Sequence, residues 1–98
     1  MIKVIIGHKV KAGADIQPIL LKLRSLAIQY PGYVSAENLI GEKDSSIVVV
    51  ISTWDKAEDW KIWEKSRIRA EIYRQAEMFL EEEPKVTVYR IVPAQRWV

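Results

Sequence analysis

Ile2, Val4, Ile6, His8 and Val10 fall on one side of an alternating run, with Lys3, Ile5, Gly7 and Lys9 on the other. That period of two predicts a strand. Gly13 breaks it, Asp15 is placed to cap a helix, and Pro18 is tolerated in the first turn. Ile16, Ile19, Leu20, Leu23, Leu26, Ala27 and Tyr30 then keep helical spacing without a gap until Pro31-Gly32 stops the run. A second strand is expected over 33–41, a polar turn over 42–46 and a third strand over 47–54, the two strands forming a hairpin.

The third strand does not alternate, because Ile47 to Ile51 is one apolar run. An antiparallel strand with one solvated face alternates, so an unbroken run implies cover on both faces. Helices supply only one cover, and a second copy of the chain is the expected source of the other. Asp55-Lys56-Ala57-Glu58 reads as a capping box before a short helix carrying Trp60 and Trp63. Ser66 reads as a cap or kink before a longer helix with Ile68, Ile72, Ala76 and Phe79 inward. Glu81 to Glu83 oppose the macrodipole at a helix C-terminus, so that helix is expected to end by there, before Pro84. Val86 to Val92 is a last strand ended by Pro93, and a tail over 93–98 carries Trp97, expected to dock on a neighbour. The order βαββαβ predicts an α+β, ferredoxin-like sandwich with a four-stranded antiparallel sheet, and right-handed crossovers give the strand order 4-1-3-2.

Composition narrows the function classes. The 98 residues suit one domain over 1–98, and 49% apolar with 29% charged residues argues against disorder. A formal charge of +2 with acids among the bases speaks against a nucleic-acid partner. No cysteine is present, which removes disulfides, thiol nucleophiles and thiolate metal sites, and one histidine speaks against a histidine-built metal centre. The N-terminal apolar run is too short for a signal segment and no stretch is long enough to span a bilayer, so a soluble cytoplasmic protein with no membrane partner is expected.

Pro31-Gly32-Tyr33 before the second strand, Thr53-Trp54 at the end of the third, and Trp60-Lys61-Ile62-Trp63-Glu64-Lys65-Ser66 together resemble the antibiotic-biosynthesis-monooxygenase family over nearly the whole chain. The resemblance implies a dimeric α+β barrel, in which two sheets pack face to face and each protomer has a cleft between sheet and helices. It also implies a choice of activities. Some members oxygenate anthrones or quinols with molecular oxygen and no cofactor, some degrade haem, and others isomerise small phosphosugars. The haem-degrading pattern has an asparagine near the end of the first strand, a tryptophan, and a histidine ten residues later. Here Trp63 matches, Tyr73 stands at the histidine position, and Gly7 and His8 stand near the asparagine position, so haem becomes the minority expectation. A tyrosine can still ligate haem iron.

The expectation that follows is a cofactor-independent monooxygenase acting on an aromatic or quinol-like molecule. Its alternatives are a haem protein, a non-catalytic binding dimer and a small sugar-phosphate isomerase. His8, as a general base with the right pKa range, Tyr73, as a hydroxyl that holds a substrate oxygen, and Trp63 are the candidate catalytic residues. Each also has a plainer role, His8 as a hydrogen-bonded structural residue and Trp63 as core. Trp60, three residues before Trp63, extends an aromatic wall. Asn38 on the second strand and Arg67 at the cleft mouth complete the substrate-binding set, with Arg69 as the alternative to Arg67. Lys61, Lys65, Arg67, Arg69 and Arg74 are otherwise expected on a solvated face, paired with Glu58, Glu64, Glu71 and Glu77.

Overall fold

The computed structural model describes residues 1–94. Four strands, β1 (Ile2–Lys9), β2 (Tyr33–Ile40), β3 (Ile47–Trp54) and β4 (Lys85–Arg90), alternate with helices α1 (Gln17–Ala27), α2 (Ala57–Glu64) and α3 (Arg67–Ala76), and a 3-10 turn, Glu77–Phe79, extends α3. The sheet is antiparallel with order β2-β3-β1-β4, which is the expected order read from the other edge. Trp97 lies outside the described residues. No helix among them is long and apolar enough to cross a membrane.

Register explains which side chains meet. His8 pairs with Val48, Ile6 with Val50, Val4 with Ser52 and Ile2 with Trp54, so these eight share the face that the helices cover. Ile2, Val4, Ile6 and Val10 are buried there against Leu20, Leu23 and Ala27 of α1 and Ile72 and Ala76 of α3. The opposite face has no helix. Leu39, Ile47, Tyr89 and Ile91 lie exposed on it beside half-buried Ile5, Val49 and Ile51. The unbroken apolar run of β3 thus has one face in the core and the other uncovered within the chain.

The helix ends differ from expectation in two places. Asp55 and Glu58 do not form a capping box: α2 starts at Ala57 with Lys56 as its N-cap and no side-chain bond. Asp55 falls one residue too early, and its backbone N–H is held instead by the carbonyl oxygen of Gly32 at 2.8 Å. Asp15 likewise stands outside α1, whose N-cap is Ile16, but it accepts a hydrogen bond from the backbone of Gln17 at 2.9 Å. Ser66 does cap α3, its hydroxyl accepting from the Arg69 N–H at 3.3 Å. The inward stripe of α3 is also shifted. Ile68 is exposed, whereas Arg69, Ile72, Tyr73 and Ala76, at spacings of three and four, face the sheet. β4 ends at Arg90, short of Val92.

Gly32 turns the chain from α1 into β2 at φ +89°, and a Cβ there would run into the Asp59 carboxylate. Gly13 has φ +79° but open space around it. Gly13→Ala is therefore expected to lose about 1 kcal/mol from backbone strain alone, and Gly32→Ala clearly more because Asp59 must also move. Equal denaturation midpoints for the two variants would contradict this account.

Candidate active site

The central feature of the covered face is a buried imidazole. His8, 3% exposed, lies between Val48 on its neighbouring strand and Tyr73 on α3. Its Nδ1 is 3.0 Å from the Val48 carbonyl oxygen. A carbonyl only accepts, so Nδ1 carries the proton and donates. The other nitrogen, Nε2, is then a lone pair, and the Tyr73 hydroxyl donates to it at 2.9 Å. The two ring planes are nearly parallel, 5° apart, with centroids 5.9 Å from each other. Burial holds the His8 pKa below its usual value; the bond to Val48 acts the other way, and the Arg69 charge adds to the lowering. Burial also raises the Tyr73 pKa, against the pull of the Arg69 charge. Both groups are thus held neutral near pH 7.

Arg69 is placed by the Ser66 cap, four residues before Tyr73. Its guanidinium carbon is 4.6 Å from the Tyr73 ring centroid and 5.3 Å from that of Trp60. Burial lowers its pKa, with Tyr73 and Glu64 opposing. Arg69 thereby leaves the expected solvated face, on which the ion pair observed is Arg74 to Glu71 at 2.8 Å. Trp60 and Trp63 are core residues, 2% and 4% exposed, and they also belong to an aromatic cluster. Tyr30 meets Trp63 edge-on at 4.9 Å, and Trp54 meets Trp60 at 5.9 Å and Tyr33 at 5.5 Å.

Sheet, helices and cluster line a partly open cavity of about 50 Å³. Leu20, Leu23 and Ala27 form its α1 wall, Trp54, Trp60 and Trp63 its aromatic wall. Polar residues that line it are Arg24, Tyr33, Asn38, Ser52, Arg69 and Tyr73. Ser52 is already engaged, since its hydroxyl accepts from the Trp54 indole N–H at 3.1 Å. Arg69 and Tyr73 also line an open groove of about 550 Å³ on their far side, bounded by Glu77, Leu80 and Val86. Arg69 and Tyr73 are therefore shared by an inner, mostly apolar cavity and an outer groove.

Of the six side chains singled out from the sequence, Trp60, Trp63, Asn38 and Tyr73 line the cavity. His8 does not reach it; it stands behind Tyr73 and touches it through one hydrogen bond. Arg67 is exposed on α3 and lines neither space, and Arg69 takes the place expected for it. The helical stripe 69-72-73-76 carried that signal, since Arg69 shares it with Ile72 and Ala76. Tyr33 and Ser52 were passed over, the first being read as part of a turn motif.

Haem does not fit these residues. Burial keeps the Tyr73 phenol protonated, its proton is directed to His8, and the histidine does not line the cavity, so neither side chain offers a haem iron a free ligand there. Among the described residues no three histidine, aspartate or glutamate side chains converge on a metal position.

The covered antiparallel sheet and its βαββαβ order define a ferredoxin-like α+β protein. Solved structures share that fold over nearly the whole chain. A conserved protein from Methanosarcina mazei Go1 superimposes with a TM-score of 0.83 at 16% identity, covering 91% of this chain and 90% of its own. An antibiotic biosynthesis monooxygenase gives 0.83 at 20% identity, covering 95% of this chain and 100% of its own. SnoaB, a cofactor-independent oxygenase from Streptomyces nogalater, gives 0.83 at 11% identity, with 95% and 94% covered. The likeness is one of fold. No protein-family model and no curated protein matches the sequence.

The buried neutral histidine has a consequence for stability. Its folded pKa lies below the 6.5 of the unfolded chain, so between the two values the unfolded chain binds a proton that the folded chain does not. Stability is then expected to be complete above about pH 6.5 and to fall as the pH drops towards the folded value. Urea unfolding at pH 7.5 and 5.5 checks this: His8→Gln should flatten the difference, and an unchanged pH dependence in that variant would refute it.

Proposed function

We propose that the chain is a cofactor-independent monooxygenase of the antibiotic biosynthesis monooxygenase kind, taking an aromatic, phenol- or quinol-like molecule and oxygen. The observation that carries this reading is the Tyr73–His8 pair. Because the Tyr73 proton is committed to His8 Nε2, the hydroxyl offers a bound molecule its lone pairs. A substrate phenol or enol can donate to Tyr73 Oη while Tyr73 passes its own proton to Nε2. His8 is the terminal base and Tyr73 the relay, and neither is left with a net proton deficit.

The substrate anion is the reductant. It gives an electron to O₂, the radical pair recombines to a hydroperoxide on a ring carbon, and loss of water leaves a carbonyl. One oxygen atom enters the substrate, the other leaves as water, and all four electrons come from the substrate. For a hydroquinone the sum is C₆H₆O₂ + O₂ → C₆H₄O₃ + H₂O, which needs no external reductant. Trp60 and Trp63 would stack on the flat ring, and the Arg69 cation would stabilise the anion. Admission of a bicyclic molecule requires Arg69 to swing aside, joining the cavity to the outer groove. The small volume of the cavity favours a second reading, a non-catalytic dimer whose cleft is filled by its own side chains.

Oxygen-electrode traces with an anthrone and a naphthohydroquinone separate the two. The oxygenase reading expects saturable uptake, with kcat lowered about 10²–10⁴-fold in Tyr73→Phe and in His8→Gln. Its acid limb should lie below pH 6.5, because His8 works as the neutral base and its pKa is lowered. Uptake indifferent to both substitutions would remove the relay from the mechanism.

The uncovered sheet face supports a homodimer, in the cytoplasm, in which a second copy packs on Ile5, Val49 and Ile51. Light scattering at micromolar concentration should give twice the 11.4 kDa chain mass, and Ile51→Lys should give the monomer. A monomeric wild-type chain would exclude the arrangement.

A further inference from the structure

The oxygenase reading uses one end of the cavity. At the other end, Tyr33 lines the same wall, and its hydroxyl is buried with no hydrogen-bond partner among the described residues. Burying a hydroxyl without a partner is unfavourable, and natural structures do it rarely. The surroundings offer it little. Trp54 meets the Tyr33 ring edge-on, and its own indole N–H is spent on Ser52. α1 contributes Leu20, Leu23 and Ala27 to the wall together with Arg24, and none of them bonds the Tyr33 hydroxyl.

Register sets the spacing of the two ends. Tyr33 lies in the row of Trp54 and Ile2, while Asn38, Val50 and Ile6 form the cavity-lining row next to that of His8 and Val48. The two rows are four residues apart along β1, about 13 Å at the rise of a strand. Between them the walls are mostly aromatic or aliphatic, with Ser52 and Arg24 as the polar members. A flat apolar body with a polar group at each end suits that arrangement, and a body with one polar group leaves Tyr33 unsatisfied.

We infer that Tyr33 is a specificity-determining residue, whose hydroxyl binds a second oxygen function at the end of the substrate remote from the one that Tyr73 deprotonates. The inference rests on the proposed oxygenase site and narrows its substrate class to fused aromatic molecules oxygenated at opposite ends. Tyr33 takes no part in the proton relay. It acts by hydrogen-bonding the far oxygen, which sets which ring carbon faces the aromatic wall and the oxygen.

The test compares 1-naphthol with 1,5-dihydroxynaphthalene, read anaerobically by quenching of tryptophan fluorescence. The intact protein is expected to bind the diol about tenfold more tightly than the mono-ol, and Tyr33→Phe should bring the ratio close to one by weakening the diol alone. Because the lost hydroxyl has no protein partner, Tyr33→Phe should melt no lower than the parent chain, which separates loss of preference from loss of fold. A diol preference retained in Tyr33→Phe overturns the inference, as does no preference in the parent chain. Oxygen uptake is scored separately. Preference without turnover removes the oxygenase reading and leaves the anchor standing; turnover without preference does the reverse; no saturable quenching by either probe overturns the anchor.

Discussion

The His8 imidazole ties the middle of the sheet to α3, and most of what the site can do follows from that tie. A histidine in the covered row of β1 is too polar to be buried unless both ring nitrogens are satisfied. Val48 satisfies one from the neighbouring strand, which leaves the other as an acceptor that only a donor from a helix can meet. Tyr73 is that donor. The two bonds choose the tautomer, fix the ring plane, and set the rotation of α3 about its axis, since Tyr73 cannot reach Nε2 from another face. Arg69, one turn earlier, is then carried over the cavity and held against Trp60 and Tyr73. A structural histidine and a proton acceptor are here the same residue. The pair stays neutral because burial penalises the charged form of each partner.

How far the fold was legible depended on which signals are periodic. Alternation in β1, the gapless stripe of α1 and the hairpin around residues 42–46 all depend on repeated burial, and the strand order followed from handedness once the elements were placed. The β3 run was legible for the same reason, because both its faces are apolar. Local polar signals transferred less well. Asp55 and Glu58 have the composition of a capping box, but the helix begins one residue later because the Asp55 N–H is taken by Gly32 across the sheet. That bond is long-range in sequence and no motif of four residues can contain it.

Site residues were legible by type more than by position. Trp60, Trp63, Asn38 and Tyr73 reach the cavity, but His8 and Tyr73 were read as separate groups facing a substrate when they are in series. The link between them spans 65 positions and depends on the angle at which α3 lies on the sheet, which single-chain periodicity does not contain. Arg67 was placed at the cleft mouth with Arg69 as its alternative, two like residues that charge alone does not tell apart. Burial decided for Arg69, whose flat cation rests on two aromatic rings while Arg67 stays in water.

Polar groups in the cavity wall divide into those that the folded chain satisfies and those that it does not. Ser52 binds the Trp54 indole and Tyr73 binds His8, so both strengthen the fold as they line the cavity. Among the described residues Asn38 and Tyr33 carry no such bond, and for the Tyr33 hydroxyl burial removes water as well. Phenylalanine would pack there with nearly the same shape and no polar penalty. A fold under selection for stability alone has reason to use it, so a buried hydroxyl left unsatisfied calls for something outside the ledger of folding. On the proposed reading the two ends of the cavity then take different tasks: the His8–Tyr73 end, self-contained and neutral, would move a proton, and the Tyr33 hydroxyl, unpartnered among the described residues, would find its partner on a bound molecule.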